Sequence, residues 1–518
     1  MSRRVVIFVS WITLGAGALS GCALPSLANR TQSVAITAAD AQTTKLGESS
    51  AQEDAGRLGM AGIYPLANPL AAFAARMELA RAAERTLDVQ YYVWKDDLTG
   101  TLLLEALHQA ADRGVRVRLL LDDDGIPSSL DDTLASLQAR PNIEVRLFNP
   151  FVIRKPKFIG FLTDFARLNR RMHNKSFTAD GAVTIVGGRN IGDEYFGATD
   201  GIVFADLDIL AVGPIATDVA EDFDRYWASG SSYPVDLIVH RAEAGQLDDI
   251  ERKAQKIEHD PEAIAYTQAI RDAPVVPQLL DGTLPLEWAT IRMVSDDPAK
   301  GLGTAPQQAF VLHQFREILG DPARELDLVS PYFVPATTGT QYFAQLARSG
   351  VTVRVLTNAL EATDVAVVHS GYAKRRVELL DSGVQLYELR RLPGVTDKNA
   401  EHARIFGGSG SSLHAKTFAV DGNRVFVGSF NFDPRSANVN TELGFVIDSA
   451  PLASRIESIF LSLVPQVAYS VHLDTNGALY WLKQNGDAQV RYDTEPNTTW
   501  WSRLGVWFLS ILPIEHLL

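Results

Sequence analysis

The chain has one cysteine, Cys22, in 518 residues, so no disulfide can form within it. Basic residues are in deficit: 48 Lys and Arg stand against 62 Asp and Glu, a net charge of −14. That balance disfavours a general nucleic-acid binder, which neutralises phosphates with a basic surface. No G-x-x-x-x-G-K-[ST] loop is present, so nothing points to nucleotide-driven chemistry. No apolar run reaches the roughly 20 residues that a membrane-spanning helix needs. Histidine is scarce, 10 residues in all, which makes its placement informative. What remains, 46% hydrophobic and 21% charged, is an ordinary globular composition. It is enough for two domains of about 150–200 residues with full cores.

Residues 1–22 read as a bacterial export signal. Arg3 and Arg4 precede the apolar run Val5 to Ala18, and Leu19, Ser20 and Gly21 lead into Cys22 as a lipobox-like sequence. Cys22 would be acylated, giving a lipoprotein of the cell envelope. An uncleaved anchor is the alternative, and inner and outer membrane both stay open. Residues 23–62, rich in Ala, Thr, Ser and Gln, read as a flexible tether.

Order is expected from Asn68, a helix cap followed by Pro69. Strand Leu87 to Trp94, helix Leu102 to Arg113, the stop Gly114 and strand Val115 to Leu121 then make a parallel crossover unit. The second half repeats it with Leu326 to Val329, Tyr342 to Arg348, Gly350 and Val351 to Leu356. Later strands, Asp206 to Val212 and Glu442 to Ile447, each lead past a proline (Pro214, Pro451) into an amphipathic helix. Those helices share one register: Val219, Phe223, Tyr226 and Trp227 against Leu452, Ile456, Ile459 and Phe460. The reading is two α/β halves made by duplication, 63–235 and 291–470. A charged connector spans 236–290, and its charge run reads as a solvated helix face. The extension 471–518 carries Trp500, Trp501, Trp507 and Phe508 and fits either an interfacial helix or a buried element.

The decisive feature is a pattern found twice, 241 positions apart. His173, Lys175, Asp180, Gly187, Gly188 and Asn190 match His414, Lys416, Asp421, Gly428, Ser429 and Asn431 without a spacing slip. A single H-x-K-x4-D arises by chance; two copies with matching Gly and Asn tails do not. Exchange at a phosphodiester needs a nucleophile, a proton donor for the leaving alkoxide and positive charge at the phosphoryl oxygens. One histidine can attack phosphorus and a second can shuttle the proton, so two copies supply both. Placed on a strand, each His and Lys would share a face. Lys175, Lys416 and the amides of Asn190 and Asn431 could clamp the oxygens. Asp206 and Glu442 follow the two Asn residues at 16 and 11 positions, with an insertion near Gly192 to Gly201 making the difference. By position they could orient the histidines. Asp122 to Asp124 end a strand before Gly125 and read as a turn rather than a metal cluster.

This paired motif resembles that of the phospholipase D superfamily, and most nearly its bacterial cardiolipin synthase-like branch, through Leu356 to Tyr372 and Leu512 to Glu515. The resemblance implies two tandem α-β-α halves related by a pseudo-twofold axis, with motif segments 167–194 and 408–435 meeting at an interfacial active site. It implies largely structural roles for Asp180 and Asp421, no metal and no cofactor. It places His173 as nucleophile and His414 as acid and base. The implied reaction is transfer of a phosphatidyl group to phosphatidylglycerol, with phosphatidylglycerol or phosphatidylethanolamine as donor. Hydrolysis by a phospholipase D or a nuclease is the alternative, and a silent envelope-binding lipoprotein a third. His369 and Tyr372 fall in a branch-typical segment, where substrate contact and core packing both fit.

Overall fold

A computed structural model describes residues 24–518 except 55, 58, 200, 242–247, 364, 392–411, 487 and 516–517. Cys22 and the leader lie outside the described residues.

The segment expected as a flexible tether is instead docked on the first half. Arg30 donates to the carbonyls of Ser229 and Ser232, and helix α1 (Lys45–Asp54) buries Leu46 completely. Ser49 donates its hydroxyl to Leu279 O at 2.6 Å. Composition without periodicity gave no hint of this, because single side chains and not a continuous apolar face make the contacts.

In the first half, strand β1 (Ala61–Leu66) precedes helix α2 (Pro69–Ala82). Asn68 caps that helix by accepting from Ala71 N, and Pro69 sits where no amide partner is needed. Then follow β2 (Thr86–Tyr91), α3 (Leu98–Asp112), β3 (Arg116–Asp122), β4 (Ile143–Phe148), β5 (Ser176–Ala179), β6 (Val183–Gly187), β7 (Asp208–Val212) and α4 (Pro214–Trp227). Strands β2, β3 and β4 run parallel, while β5, β6 and β7 extend the sheet antiparallel from β2.

The second half repeats this order. Strand β8 (Glu287–Ser295), helix α7 (Val311–Leu319), β9 (Glu325–Val329), α8 (Ala336–Arg348), β10 (Thr352–Asn358), β11 (Gln385–Leu389), β12 (Thr417–Val420), β13 (Arg424–Gly428), β14 (Leu443–Asp448) and α10 (Ala450–Ser462) take the corresponding places, with helix α9 (Ala366–Ala373) between β10 and β11. Pairing is again parallel for β9–β10–β11 and antiparallel for β9–β12–β13–β14. Strands β1 and β8 pair antiparallel, Ala61 opposite Ala289, and join the two sheets. One apolar layer lies between the halves, combining Ile63, Val186, Ile209 and Val219 with Ala415, Val425, Phe445 and Ile456. The fold is mixed α/β with two tandem halves, as the repeat implied.

One boundary differs from expectation, and of the two readings left open for the C-terminal extension one drops out. The connector is not separate: α5 (Asp249–Glu258) and α6 (Pro261–Arg271) pack on α3 and α2, and Ile250, Ala254 and Ile270 enter the first core. The last helix, α11 (Trp500–Ile511), is not a buried element. It buries only Val506, and leaves Trp500, Trp501, Trp507 and Phe508 each more than half exposed.

Candidate active site

Both H-x-K runs lie in extended chain just ahead of a strand, not within it, since β5 starts at Ser176 and β12 at Thr417. The expected shared face survives. Lys175 Nζ donates to the His173 carbonyl at 2.6 Å, and Lys416 Nζ donates to that of His414. The histidine backbones are pinned from the opposite half. His173 N donates to Thr441 O at 2.9 Å, and His414 N to Ala205 O at 2.8 Å.

The side chains cross in the same way. His173 Nδ1 lies 2.9 Å from Glu442 Oε2, and His414 Nδ1 lies 2.6 Å from Asp206 Oδ2. Each imidazole is therefore oriented by the acid of the other half. A carboxylate at Nδ1 fixes the proton there and leaves the Nε2 lone pair for chemistry. Lys416 Nζ also sits 3.0 Å from His414 Nδ1, a contact that cannot be a hydrogen bond while Nδ1 carries that proton.

The residues after each motif lysine make room for these acids. A Cβ on Gly188 would come within 2.1 Å of Asp206 Oδ1, so only glycine fits. Its counterpart Ser429 donates its hydroxyl to Glu442 Oε2. Asp180 and Asp421 do not reach the imidazoles. Both adopt left-handed backbone, φ 52° and 53°, and accept from three successive amides, Glu84 to Thr86 and Ala323 to Glu325. They clamp the starts of β2 and β9.

The two Asn residues diverge. The Asn190 amide is oriented by Val93 N (3.1 Å) and the Tyr195 hydroxyl (3.0 Å), which makes it a brace for the insertion loop as well as a candidate phosphate ligand. Asn431 Oδ1 is buried with no hydrogen-bond partner among the described residues, so the fold does not use it.

Sequence reasoning missed the aromatic walls. Tyr92 stands edge-on to His173 and Tyr195 edge-on to His414, each with ring centroids 5.1 Å apart, and Phe204 packs at 5.2 Å from His414. Tyr195 and Phe204 lie in or beside the five-residue insertion, the only sequence signal that could have found them. By contrast His369 and Tyr372 are core. Tyr372 donates to Glu388 at 3.1 Å, and His369 lies 3.5 Å from Glu495 in a buried network with Arg376. The aspartates 122 and 123 are engaged by Arg171, Arg154 and Lys157.

Electrostatics follow from burial. Each histidine is 8% exposed. Burial pushes the His173 imidazole down to about 4, against the pull of Glu442, with Lys175 and Lys416 lowering it further. Burial and Lys416 push His414 down to about 3, against Asp206. Burial alone would raise Asp206, but His414, Lys416 and Arg189 hold it at about 2. Lys175 is lowered by burial. Each lysine thus acts on the other half's histidine, and the four groups form one charge cluster. Both imidazoles are neutral at pH 7 in the free site, as a nucleophile requires. An entering anion favours the protonated forms, so anion binding takes up protons. Affinity for tungstate, a dianion that does not titrate near neutrality, is expected to rise as pH falls from 8 to 6. Calorimetry showing constant or falling affinity would contradict this.

With Lys175 and Lys416 held against the two motif histidines, Lys175→Ala and Lys416→Ala are each expected to lower kcat/KM about 100-fold, the usual cost of one preorganised charge contact. Steady-state assay of the purified variants checks it.

Comparison with known proteins places this geometry. The family model "Cardiolipin synthase, PLD-like domain" matches residues 77–227 and 315–464, one span per half, and each contains one complete motif. The chain belongs to that family. Among curated relatives of the cardiolipin synthase family, it is 50% identical over 461 residues to "Cardiolipin synthase C" of Escherichia coli K12, covering 89% of this chain and 97% of the relative. An uncharacterized protein of Helicobacter pylori 26695 is 32% identical over 450 residues, covering 85% of this chain and 86% of the relative. Among solved structures, phosphatidylserine synthase of Haemophilus influenzae superposes with TM-score 0.55 at 13% identity, covering 81% of this chain and 91% of that one, a likeness of fold.

Proposed function

We propose that the protein is a phosphatidyltransferase that makes cardiolipin. The observation that carries this reading is the 50% identity to a cardiolipin synthase over 89% of the chain, together with both crossed His–acid pairs. His173 Nε2 attacks the donor phosphorus, an N–P bond forms, and the P–O bond to the donor's alcohol breaks. Binding of the anionic donor protonates His414 at Nε2; that proton goes to the leaving alcohol, and the neutral His414 becomes the base for the second step. It then takes the proton from a phosphatidylglycerol hydroxyl, whose oxygen attacks phosphorus as the N–P bond breaks. Asp206 and Glu442 hold the rings through both steps. One phosphodiester replaces another, so no energy source is needed.

Lipid mass spectrometry after expression in cells lacking cardiolipin tests the proposal. Cardiolipin should appear; phosphatidic acid in its place would mean hydrolysis. Phosphatidylglycerol and phosphatidylethanolamine as donors separate by the alcohol released, glycerol or ethanolamine.

The same reading assigns the protein to the envelope membrane through two signals, acylation at Cys22 and the exposed aromatic face of α11. No helix among the described residues is long and apolar enough to cross a membrane. Palmitate is expected to label the wild type but not Cys22→Ala. Equal labelling of both, or of neither, would remove the acyl anchor from this account.

A further inference from the structure

The two halves differ in one place that the repeat would otherwise make equivalent. In the first half, α2 and α3 pack on each other, and Phe73, Met77, Leu103 and Leu107 share one core. Their counterparts in the second half are α7 and α8. Helix α7 has nine residues where α2 has 14, and a cavity of about 750 Å³ opens between α7 and α8. That volume falls in the range of small-molecule sites, roughly 300–1,000 Å³.

Its wall is built for an apolar guest. Helix α7 presents Leu312, Phe315 and Leu319, at i, i+3 and i+7, and α8 presents Tyr342 and Phe343. Leu312 remains 36% exposed, with no helix among the described residues covering it. A methylene takes about the volume of one water, roughly 30 Å³, so a long acyl chain fits with space to move.

The cavity also lies in line with the chemistry. Phe418 and Val420 of β12 line it, two and four residues along the chain from Lys416. At about 3.3 Å per residue, Phe418 lies about 7 Å beyond Lys416 along the chain, and Val420 about 13 Å. Phe430 and Phe432, on either side of Asn431, complete that wall. At another edge Pro513 and Glu515 line it, just past the exposed aromatic helix α11, and Glu515 is held 2.7 Å from Lys374. A segment suited to a lipid surface therefore leads into the cavity.

We propose that this cavity holds one acyl chain of a phospholipid substrate while its phosphoryl group lies between the two histidines. The inference rests on the phospholipid reading of the site but not on which acceptor is used. It makes the second half the chain-selecting half and explains why only that copy of the helix pair is parted.

The test uses the full chain and phosphatidylglycerol carrying a diazirine near the end of one acyl chain. Photolysis should label peptides containing Tyr342 and Phe343 or Phe430 to Phe432, and excess dioleoyl phosphatidylglycerol should suppress the labelling. In parallel, Leu312→Trp, which fills the cavity from its exposed side, should lower the ratio of kcat/KM for dioleoyl over dihexanoyl substrate about tenfold. Labelling confined to residues 500–511, or none at all, would overturn the proposal. So would an unchanged chain-length ratio in a folded Leu312→Trp protein; if that variant does not fold, the wild-type labelling decides alone. Formation of phosphatidic acid instead of cardiolipin would refute the transferase reading and leave the labelling result standing.

Discussion

His173→Ala and His414→Ala proteins are each expected to form no detectable cardiolipin, a loss of roughly 10⁴-fold or more, and the double variant should be no worse. In the proposed mechanism nucleophile and proton shuttle work on one phosphorus, so removing either stops the cycle. Losses within such a unit do not add. The two single variants should still differ. With a p-nitrophenyl phosphodiester, whose leaving group needs no proton, His414→Ala should release one equivalent of nitrophenol in a burst and then stall. His173→Ala should show no burst. Equal bursts from both, or losses that multiply in the double variant, would mean that the histidines act independently.

The second large effect concerns the acids. Glu442→Gln and Asp206→Asn keep size and shape but exchange the acceptor at Nδ1 for an amide, so the ring tautomer is no longer fixed. A loss of roughly 10²–10⁴-fold is expected for each. Because the pairs cross the interface, 2.9 Å for His173–Glu442 and 2.6 Å for His414–Asp206, the defects should cross too. Glu442→Gln should fail in forming the covalent intermediate, like His173→Ala. Asp206→Asn should form it and fail to break it down, like His414→Ala. Presteady-state kinetics with the nitrophenyl substrate separates the two steps. The reverse assignment would show each acid serving the histidine of its own half.

Much of this was legible in the sequence, because the signals were local. Periodic apolar residues and their stops gave the parallel crossover unit of each half and its closing strand and helix, and Asn68 with Pro69 gave a helix start. The twin motif gave the histidines and lysines, and corresponding places after each motif, offset by the five-residue insertion, pointed to Asp206 and Glu442. What no local pattern could give is the exchange of partners. Sequence position pairs Asp206 with His173 and Glu442 with His414, whereas the pseudo-twofold packing brings Glu442 to His173 and Asp206 to His414. The docking of residues 24–54 was hidden for a similar reason, since Arg30 and Ser49 bond to backbone carbonyls about 200 positions away. The cavity between α7 and α8 was invisible too, as it comes from how far apart two ordinary amphipathic helices stand.

The most direct test of the account is where the phosphatidyl group is held. Full-length His414→Ala protein incubated with phosphatidyl-p-nitrophenol labelled at phosphorus, whose leaving group needs no proton, then quenched in alkaline denaturant to preserve the N–P bond and digested, should carry the labelled phosphoryl adduct on the peptide containing His173, with none in His173→Ala protein. An adduct on His414 in the His173→Ala protein would reverse the roles, and no adduct in either would contradict the covalent mechanism.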